Sequence, residues 1–242
     1  MANLIHFALL PLSFICLGAI SCGGEVERDY FVFLTTGKTT QGVAPEEIQK
    51  KQAAHLENFG RLAKLGSLTT AGPCSDPDKL TRGIVVINAD SIAEAEAMFG
   101  PDPYVSEGFM KAELNGYKTV VGKLQLVTEV TSMEQSVLVI LTQGDKWSAE
   151  PSVVKSVDEQ LVKLAKEQFK AKKIGFAGLL NGKSNNTSKR VAVMLFRGKE
   201  IEPVKAILES QAFVQDGVVR FKAFPQYLAK GALPSEATTS SD

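Results

Sequence analysis

Histidine and cysteine are scarce in this 242-residue chain, which contains two histidines and three cysteines. Lysine plus arginine and aspartate plus glutamate number 27 each, so the chain has no excess of either charge. Without a basic excess the surface cannot concentrate phosphates, which argues against nucleic acid as a partner. Because zinc sites gather three or four nitrogen or sulfur ligands, the scarcity of these residues argues against a metal site, and we expect no cofactor.

The first 22 residues, MANLIHFALLPLSFICLGAISC, are almost wholly apolar and contain no Lys, Arg, Asp or Glu. Because Pro11 interrupts the apolar run, the segment is more typical of a secretion signal than of a membrane span of roughly 20 continuous apolar residues. Ala19 and Ser21, placed before Cys22, resemble the lipobox of bacterial lipoproteins. That resemblance implies cleavage before Cys22, lipidation of its thiol and attachment to a membrane of the bacterial cell envelope, at the periplasmic face or the cell surface. The alternative is a plain signal peptide cut near Ser21, or a retained anchor.

Only Cys74 would remain as a thiol after such processing, because Cys16 would leave with the signal and Cys22 would carry lipid. An exported protein with a single free cysteine has no intramolecular disulfide. The fold must then be stable through its core alone. Cys74 has no identifiable basic neighbour, and we interpret it as a small core or loop residue rather than a reactive thiol.

Two parts of the chain resemble each other at a spacing of roughly one hundred residues. Four pairs of segments match in the same order: 31–38 with 138–145, 68–72 with 174–178, 91–99 with 200–208, and 104–109 with 213–218. The matches indicate a tandem duplication, with one copy at 29–124 and a degenerate copy at 134–230. The small, polar residues 231–242 predict a disordered tail.

Each copy predicts the order strand, long helix, strand, strand, shorter helix, strand, which is the ferredoxin-like βαββαβ arrangement. In the first copy the helices are predicted at 45–66 and 91–100, and the last strand at 113–122. Such a unit has helices on only one face of its sheet, so the other face needs cover. We therefore expect an α+β protein in which the two units pack as an intramolecular pseudo-dimer, with further oligomerisation left open.

His55 is the only histidine outside the N-terminal segment. Spacings of three and four residues predict that one stripe of its helix faces the sheet: Ile48, Gln52, His55, Phe59 and Leu62. The second copy has Leu161 at the position of His55, so the position suits a core residue. A buried neutral histidine with one hydrogen-bond partner is therefore one interpretation of His55.

Asp102 precedes Pro103, a pattern typical of a helix N-cap. The second copy has Gln211 there, which is a poor cap. Because His55 and Asp102 occur together in one copy and are both replaced in the other, the pattern favours a partnership between them. A carboxylate on one ring nitrogen would fix the tautomer and leave the other nitrogen as a general base or acid. Capping and catalysis remain two alternatives for Asp102.

Three segments of the first copy carry a resemblance to the YciI-like (YCII-related) family: YFVFLTTGK, HLENFGRLAKLGSLTTAGP and DPYVSEGF. The resemblance implies a ferredoxin-like α+β barrel, usually formed by dimerisation, with a His and Asp pair in a pocket as the candidate active site. By motif, that pair is His55 and Asp102. Most members have no known reaction, and a few relatives act on small aromatic or lactone-like compounds.

These observations lead to three functional hypotheses. In the first, the chain is an enzyme that uses His55 and Asp102 for acid and base chemistry on a small organic molecule. In the second, it is a non-catalytic envelope lipoprotein that binds a small ligand or a protein, and in the third it is a scaffold. Tyr104, Ser106 and Arg82 are further candidates for contacts with a substrate.

Overall fold

The structure, a computed structural model, describes residues 29–180 and 182–234. The predicted signal with Cys22, and residues 235–242 of the predicted tail, lie outside the described residues. The elements are β1 (Asp29–Thr36), α1 (Pro45–Lys64), β2 (Leu68–Pro73), β3 (Thr81–Asn88), α2 (Ile92–Ala97), α3 (Pro103–Ser106), β4 (Met110–Gly116), β5 (Lys118–Gly122), β6 (Met133–Gln143), α4 (Pro151–Lys170), β7 (Ile174–Leu179), β8 (Arg190–Arg197), α5 (Ile201–Glu209), α6 (Ala212–Gln215) and β9 (Val219–Ala229). None of the helices in this part of the chain is both long and apolar enough to cross a bilayer.

The strands form two antiparallel sheets with matching orders, β2-β3-β1-β4 in the first half and β7-β8-β6-β9 in the second. Strand β5 extends the second sheet beside β7. Each half therefore has the predicted ferredoxin-like order, with a short additional helix before its last strand. The prediction of an α+β pseudo-dimer is confirmed.

The two sheets pack face to face, and their alternating side chains explain why. In β1, Tyr30, Val32 and Leu34 point toward the helices of the first half, whereas Phe31 and Phe33 belong to the core between the sheets. Other residues of this shared core are Ile84, Val86, Leu138, Ile140, Phe176, Val193, Leu195 and Phe224. Because the central strands bury both faces, they are continuous apolar runs rather than alternating ones.

The sheets meet along two seams, so the structure is a closed α+β barrel. At one seam, strand β5 of the first half pairs with β7. At the other seam, the backbone of Cys74, just after β2, forms an isolated antiparallel β-bridge with Gln226 of β9. Both seams require glycine: a Cβ on Gly72 would lie 1.9 Å from the Tyr227 carbonyl oxygen, and one on Gly122 would lie 1.9 Å from the Gly175 carbonyl oxygen.

Three predictions about local structure were wrong. The strand predicted at 113–122 is divided between β4 in the first sheet and β5 in the second, because the chain crosses between the sheets at Tyr117. There the Tyr117 ring packs edge-on against Phe31 and Phe176.

The second wrong prediction is the start of the disordered tail, which was predicted to begin at residue 231. Ala232 and Leu233 are instead buried in the core between the sheets.

The third wrong prediction concerns the buried stripe of α1. The buried residues are Lys51, His55, Asn58 and Leu62, whereas Gln52 is exposed. The helix is rotated relative to the prediction because Lys51 and Asn58 bond to the segment that contains α2 and α3. His55 belongs to both the predicted and the observed stripe.

Candidate active site

His55 and Asp102 lie in direct contact, with Nδ1 of His55 2.6 Å from Oδ2 of Asp102. The other carboxylate oxygen, Oδ1, accepts a hydrogen bond of 3.0 Å from the backbone N–H of Tyr104 and so caps α3. Asp102 is fully buried, and the His55 side chain is 9% exposed. The two interpretations of Asp102 are therefore compatible, because each uses a different oxygen of the same carboxylate.

This contact determines which ring nitrogen of His55 is available. A carboxylate only accepts hydrogen bonds, so Nδ1 donates to Asp102 and the lone pair of the neutral imidazole is on Nε2. Nε2 makes no hydrogen bond with any described residue. The imidazole can therefore accept a proton at Nε2 while the carboxylate stabilises the resulting positive charge.

Two aromatic rings hold the imidazole plane. Phe59, one turn further along α1, packs edge-on with ring centroids 4.5 Å apart, and Tyr104 packs edge-on at 5.5 Å. The hydroxyl of Tyr104 donates to the Ile48 carbonyl oxygen at 3.4 Å. Tyr104 thus lies behind the imidazole and supports it through its ring.

Polar contacts on both sides of His55 attach α1 to the segment that carries Asp102. Before His55, Nζ of Lys51 donates to both oxygens of Glu107, at 2.6 and 2.8 Å, and also contacts Glu47. The hydrogen bond with Glu107, and secondly that with Glu47, raises the pKa of Lys51 above its usual value. The contacts hold the end of α3 against α1.

After His55, the Asn58 side chain donates to the Met98 carbonyl oxygen at 3.1 Å, and Arg61 donates to the same oxygen at 2.9 Å. Met98 ends α2, just before the turn that leads to Asp102. We call these contacts, Lys51 with Glu107 and Asn58 and Arg61 with Met98, the polar clamp. The clamp fixes the distance between the two elements that supply His55 and Asp102.

A pocket of about 330 Å³ opens beside the imidazole. Its polar lining consists of His55, Gln52 and Arg82, and no carboxylate belongs to the described lining. Its apolar side chains include Leu34, Leu56, Phe59, Ile84, Met110 and Met133. Met133 begins β6, so the second half of the chain completes a pocket that is otherwise built by the first. Within the described residues, no group of three or more His, Cys, Asp or Glu side chains is arranged to hold a metal ion.

The structure brings only one of the three further candidates into this pocket. Arg82, on β3, lines it, whereas Tyr104 lies behind His55 and Ser106 is exposed at the end of α3. Sequence reasoning did not identify Leu56 and Met133, which line the pocket although they are 57% and 48% exposed. For Leu56 the available signal was an apolar residue next to His55 that lies outside the predicted buried stripe of the helix. Met133 belongs to a strand far away in the sequence, and no local signal points to it.

Cys74 lies at the seam between the sheets. Its thiol contacts Oε1 of Gln226 at 2.6 Å, and burial, together with the charge of Asp76, raises the pKa of the thiol. A raised pKa keeps the group protonated at neutral pH, and the protonated form is a poor nucleophile. These features agree with the structural interpretation of Cys74.

Solved structures with the same fold cover most of the chain. A candidate monooxygenase from Fusobacterium nucleatum is 10% identical, matches 85% of this chain and 94% of its own, and gives a TM-score of 0.52. A mutant chlorite dismutase from Candidatus Nitrospira defluvii is also 10% identical, with coverages of 85% and 93% and a TM-score of 0.52. At such low identity the similarity shows the fold alone. No curated protein matched the chain.

The model of the YCII-related domain matches residues 30–113. This range begins in β1, ends in β4, and contains His55, Asp102 and Arg82. The match therefore confirms the resemblance for the half of the molecule that supplies the imidazole, its carboxylate partner and most of the pocket. The chain contains a YCII-related domain at residues 30–113.

Proposed function

We propose that the protein is an enzyme that uses His55 as a general base or acid, oriented by Asp102, to transfer a proton on a small organic molecule. The observation that carries the proposal is the 2.6 Å contact between Nδ1 of His55 and the fully buried Asp102, with the imidazole in a pocket wall. A His and carboxylate pair at the edge of an apolar pocket is an arrangement suited to proton transfer.

In this mechanism the chain's own residues perform each role. Nε2 of His55 takes a proton from the substrate, and Asp102 stabilises the imidazolium through Nδ1–H. Phe59 and Tyr104 restrict rotation of the ring. The protonated Nε2 then returns the proton to another atom of the substrate or to a leaving group. Isomerisation and elimination are the reaction classes that this sequence of steps supports.

The proton position on His55 in wild type and Asp102→Asn tests the proposal. In the variant, Oδ1 of asparagine continues to accept from the Tyr104 N–H, so its NH₂ faces Nδ1 and donates to it. We expect the neutral imidazole to carry its proton on Nδ1 in the wild type and on Nε2 in Asp102→Asn. Nitrogen-15 NMR of the full chain distinguishes these tautomers.

The matched control is His6→Gln, which identifies the signal of the other histidine. Because the capping bond survives in Asp102→Asn, we expect the variant to fold, so the tautomer can be compared directly. The same tautomer in both proteins would contradict the role of Asp102 and remove the support for His55 as the base.

A tandem duplication is part of the same proposal, with the second half serving as a built-in dimer partner. Its support is the equal order of elements and strands in the two halves and the equal length of α1 and α4, 20 residues each. The second half has Leu161 and Gln211 where the first has His55 and Asp102, so we propose one active site for each chain.

Export and lipid attachment also belong to the proposal, and their support is the sequence of the first 22 residues alone. The lipobox-like segment before Cys22 implies a domain held at the cell envelope. The mass of the N-terminal peptide in cells that express wild type or Cys22→Ser tests this. An unlipidated peptide in the wild type would exclude the anchor.

A further inference from the structure

Arg82 differs from the other arginines in the described part of the chain. Each of the others binds an oxygen atom. Arg61 binds the side-chain oxygen of Asn58, Arg190 and Arg220 bind carboxylate oxygens of Glu113 and Asp145, and Arg197 binds the carbonyl oxygens of Leu233 and Pro234. The guanidinium of Arg82 makes no hydrogen bond or ion pair with a described residue. It is an exposed cation that lines the pocket of His55.

The surroundings of Arg82 strengthen its attraction for an anion. The lining contains no carboxylate within the described residues. Apart from Arg82 itself, His55 and Gln52, it consists of apolar side chains and two glycines. A positive charge at an apolar surface interacts more strongly with an anion than the same charge in bulk water. The pocket therefore combines a cation that has no partner in the described part of the chain, an apolar wall and a proton acceptor.

We propose, on the basis of the proposed function, that the substrate is a small molecule with an apolar body and a single carboxylate, which Arg82 binds. A guanidinium matches a carboxylate with two parallel hydrogen bonds and compensates one negative charge. A phosphate dianion would leave a charge uncompensated here. The apolar body lies against Leu56, Phe59 and Met133, with its reacting carbon near Nε2 of His55.

The size of the pocket agrees with this class of molecule. Its volume of about 330 Å³ is at the lower end of the range of small-molecule sites, roughly 300–1,000 Å³. A single aromatic or alicyclic ring with a carboxylate fits such a volume. Specificity then has two sources, since Arg82 selects the charge and the second half of the chain, through Met133, limits the length.

Binding of three matched probes to the full chain tests the inference. The probes are benzoate, benzamide and phenyl phosphate, and the His55 ring signal in NMR reports on the pocket. We expect benzoate to shift this signal in a saturable way. Arg82→Met should weaken benzoate binding about tenfold or more, since both hydrogen bonds to the carboxylate are lost. Arg82→Lys, which keeps the charge, should retain part of the affinity.

Two comparisons serve as controls. Arg220→Met removes an exposed arginine of β9 outside the pocket and should leave benzoate binding unchanged. Benzamide, which has the same shape without the charge, should bind more weakly, and its affinity should not change in Arg82→Met.

The inference is wrong if benzamide or phenyl phosphate binds as tightly as benzoate or if Arg82→Met does not change benzoate binding. It is also wrong if no probe shifts the His55 signal at concentrations of tens of millimolar. The tautomer experiment uses no ligand, so the two proposals fail separately.

Discussion

The two long helices of this protein occupy equivalent places and bury different chemistry. Helices α1 and α4 both begin with proline, have the same length and pack on matching sheets. Three buried positions are polar in α1 and apolar in α4: Lys51 and Val157, His55 and Leu161, Asn58 and Leu164. This fold therefore accepts a polar helix face where the facing segment offers a hydrogen-bond partner for each polar group.

The facing segments differ in the corresponding way. Asp102 caps α3 and binds His55, whereas Gln211, at the start of α6, makes no capping bond. The Gln211 side chain instead donates backward to the carbonyl oxygen of Ile207, at 2.9 Å. In the first half, Asn58 and Arg61 bind the carbonyl of Met98, also near the end of the preceding helix. A contact within one segment thus replaces a contact between helices.

The largest expected effect comes from breaking the pair in the first half. His55→Leu leaves a fully buried carboxylate without its imidazole, and we expect a loss of about 3 kcal/mol in the free energy of unfolding. Adding Asp102→Gln, which reproduces the residues of the second half, should recover most of that loss. Urea denaturation followed by the fluorescence of Trp147 gives both values. Additive effects of the two substitutions would show that the residues are not coupled.

The reverse exchange in the second half is expected to have a smaller effect. Leu161→His buries an imidazole in an apolar cluster that has no carboxylate partner for it, which should lower the stability by about 2 kcal/mol. Gln211→Asp, added to it, should restore part of the loss by rebuilding the pair. Denaturation of the single and double variants measures this, and a double variant less stable than Leu161→His would mean that the two halves are not equivalent in geometry.

The smallest expected effect concerns the polar clamp. Asn58→Leu introduces the residue found in α4. It removes the hydrogen bond from Asn58 to the Met98 carbonyl and the two bonds that Oδ1 of Asn58 accepts from Arg61, while Arg61 still donates to that carbonyl. We expect a loss of about 1 kcal/mol in the free energy of unfolding, the usual net contribution of one hydrogen bond, because water can bond to the half-buried Arg61 in place of Asn58. Denaturation again gives the value. An increase in stability would show that the contact between Asn58 and Met98 does not stabilise the packing of α1 against the end of α2.

The comparison between the two halves also explains which features could be predicted from sequence. The sequence favoured a partnership of His55 and Asp102 because both positions differ between the two halves. The rotation of α1 was not predicted, because Lys51 and Asn58 are residue types that usually face solvent and only their bonds to Glu107 and Met98 bury them. The entry of Met133 into the pocket depends on how the two sheets pack, which local pattern does not encode.

The type and order of the helices and strands follow from the sequence alone, because apolar periodicity, prolines and glycines act over a few residues at a time. It also determined that one half has a histidine and a carboxylate where the other has leucine and glutamine. Three features follow only from the tertiary structure: the segment after Tyr117 joins the second sheet, Arg82 lies beside His55 without a partner among the described residues, and one carboxylate serves both a helix and an imidazole. These features depend on contacts between residues far apart in the chain, and such contacts are fixed by packing the whole core.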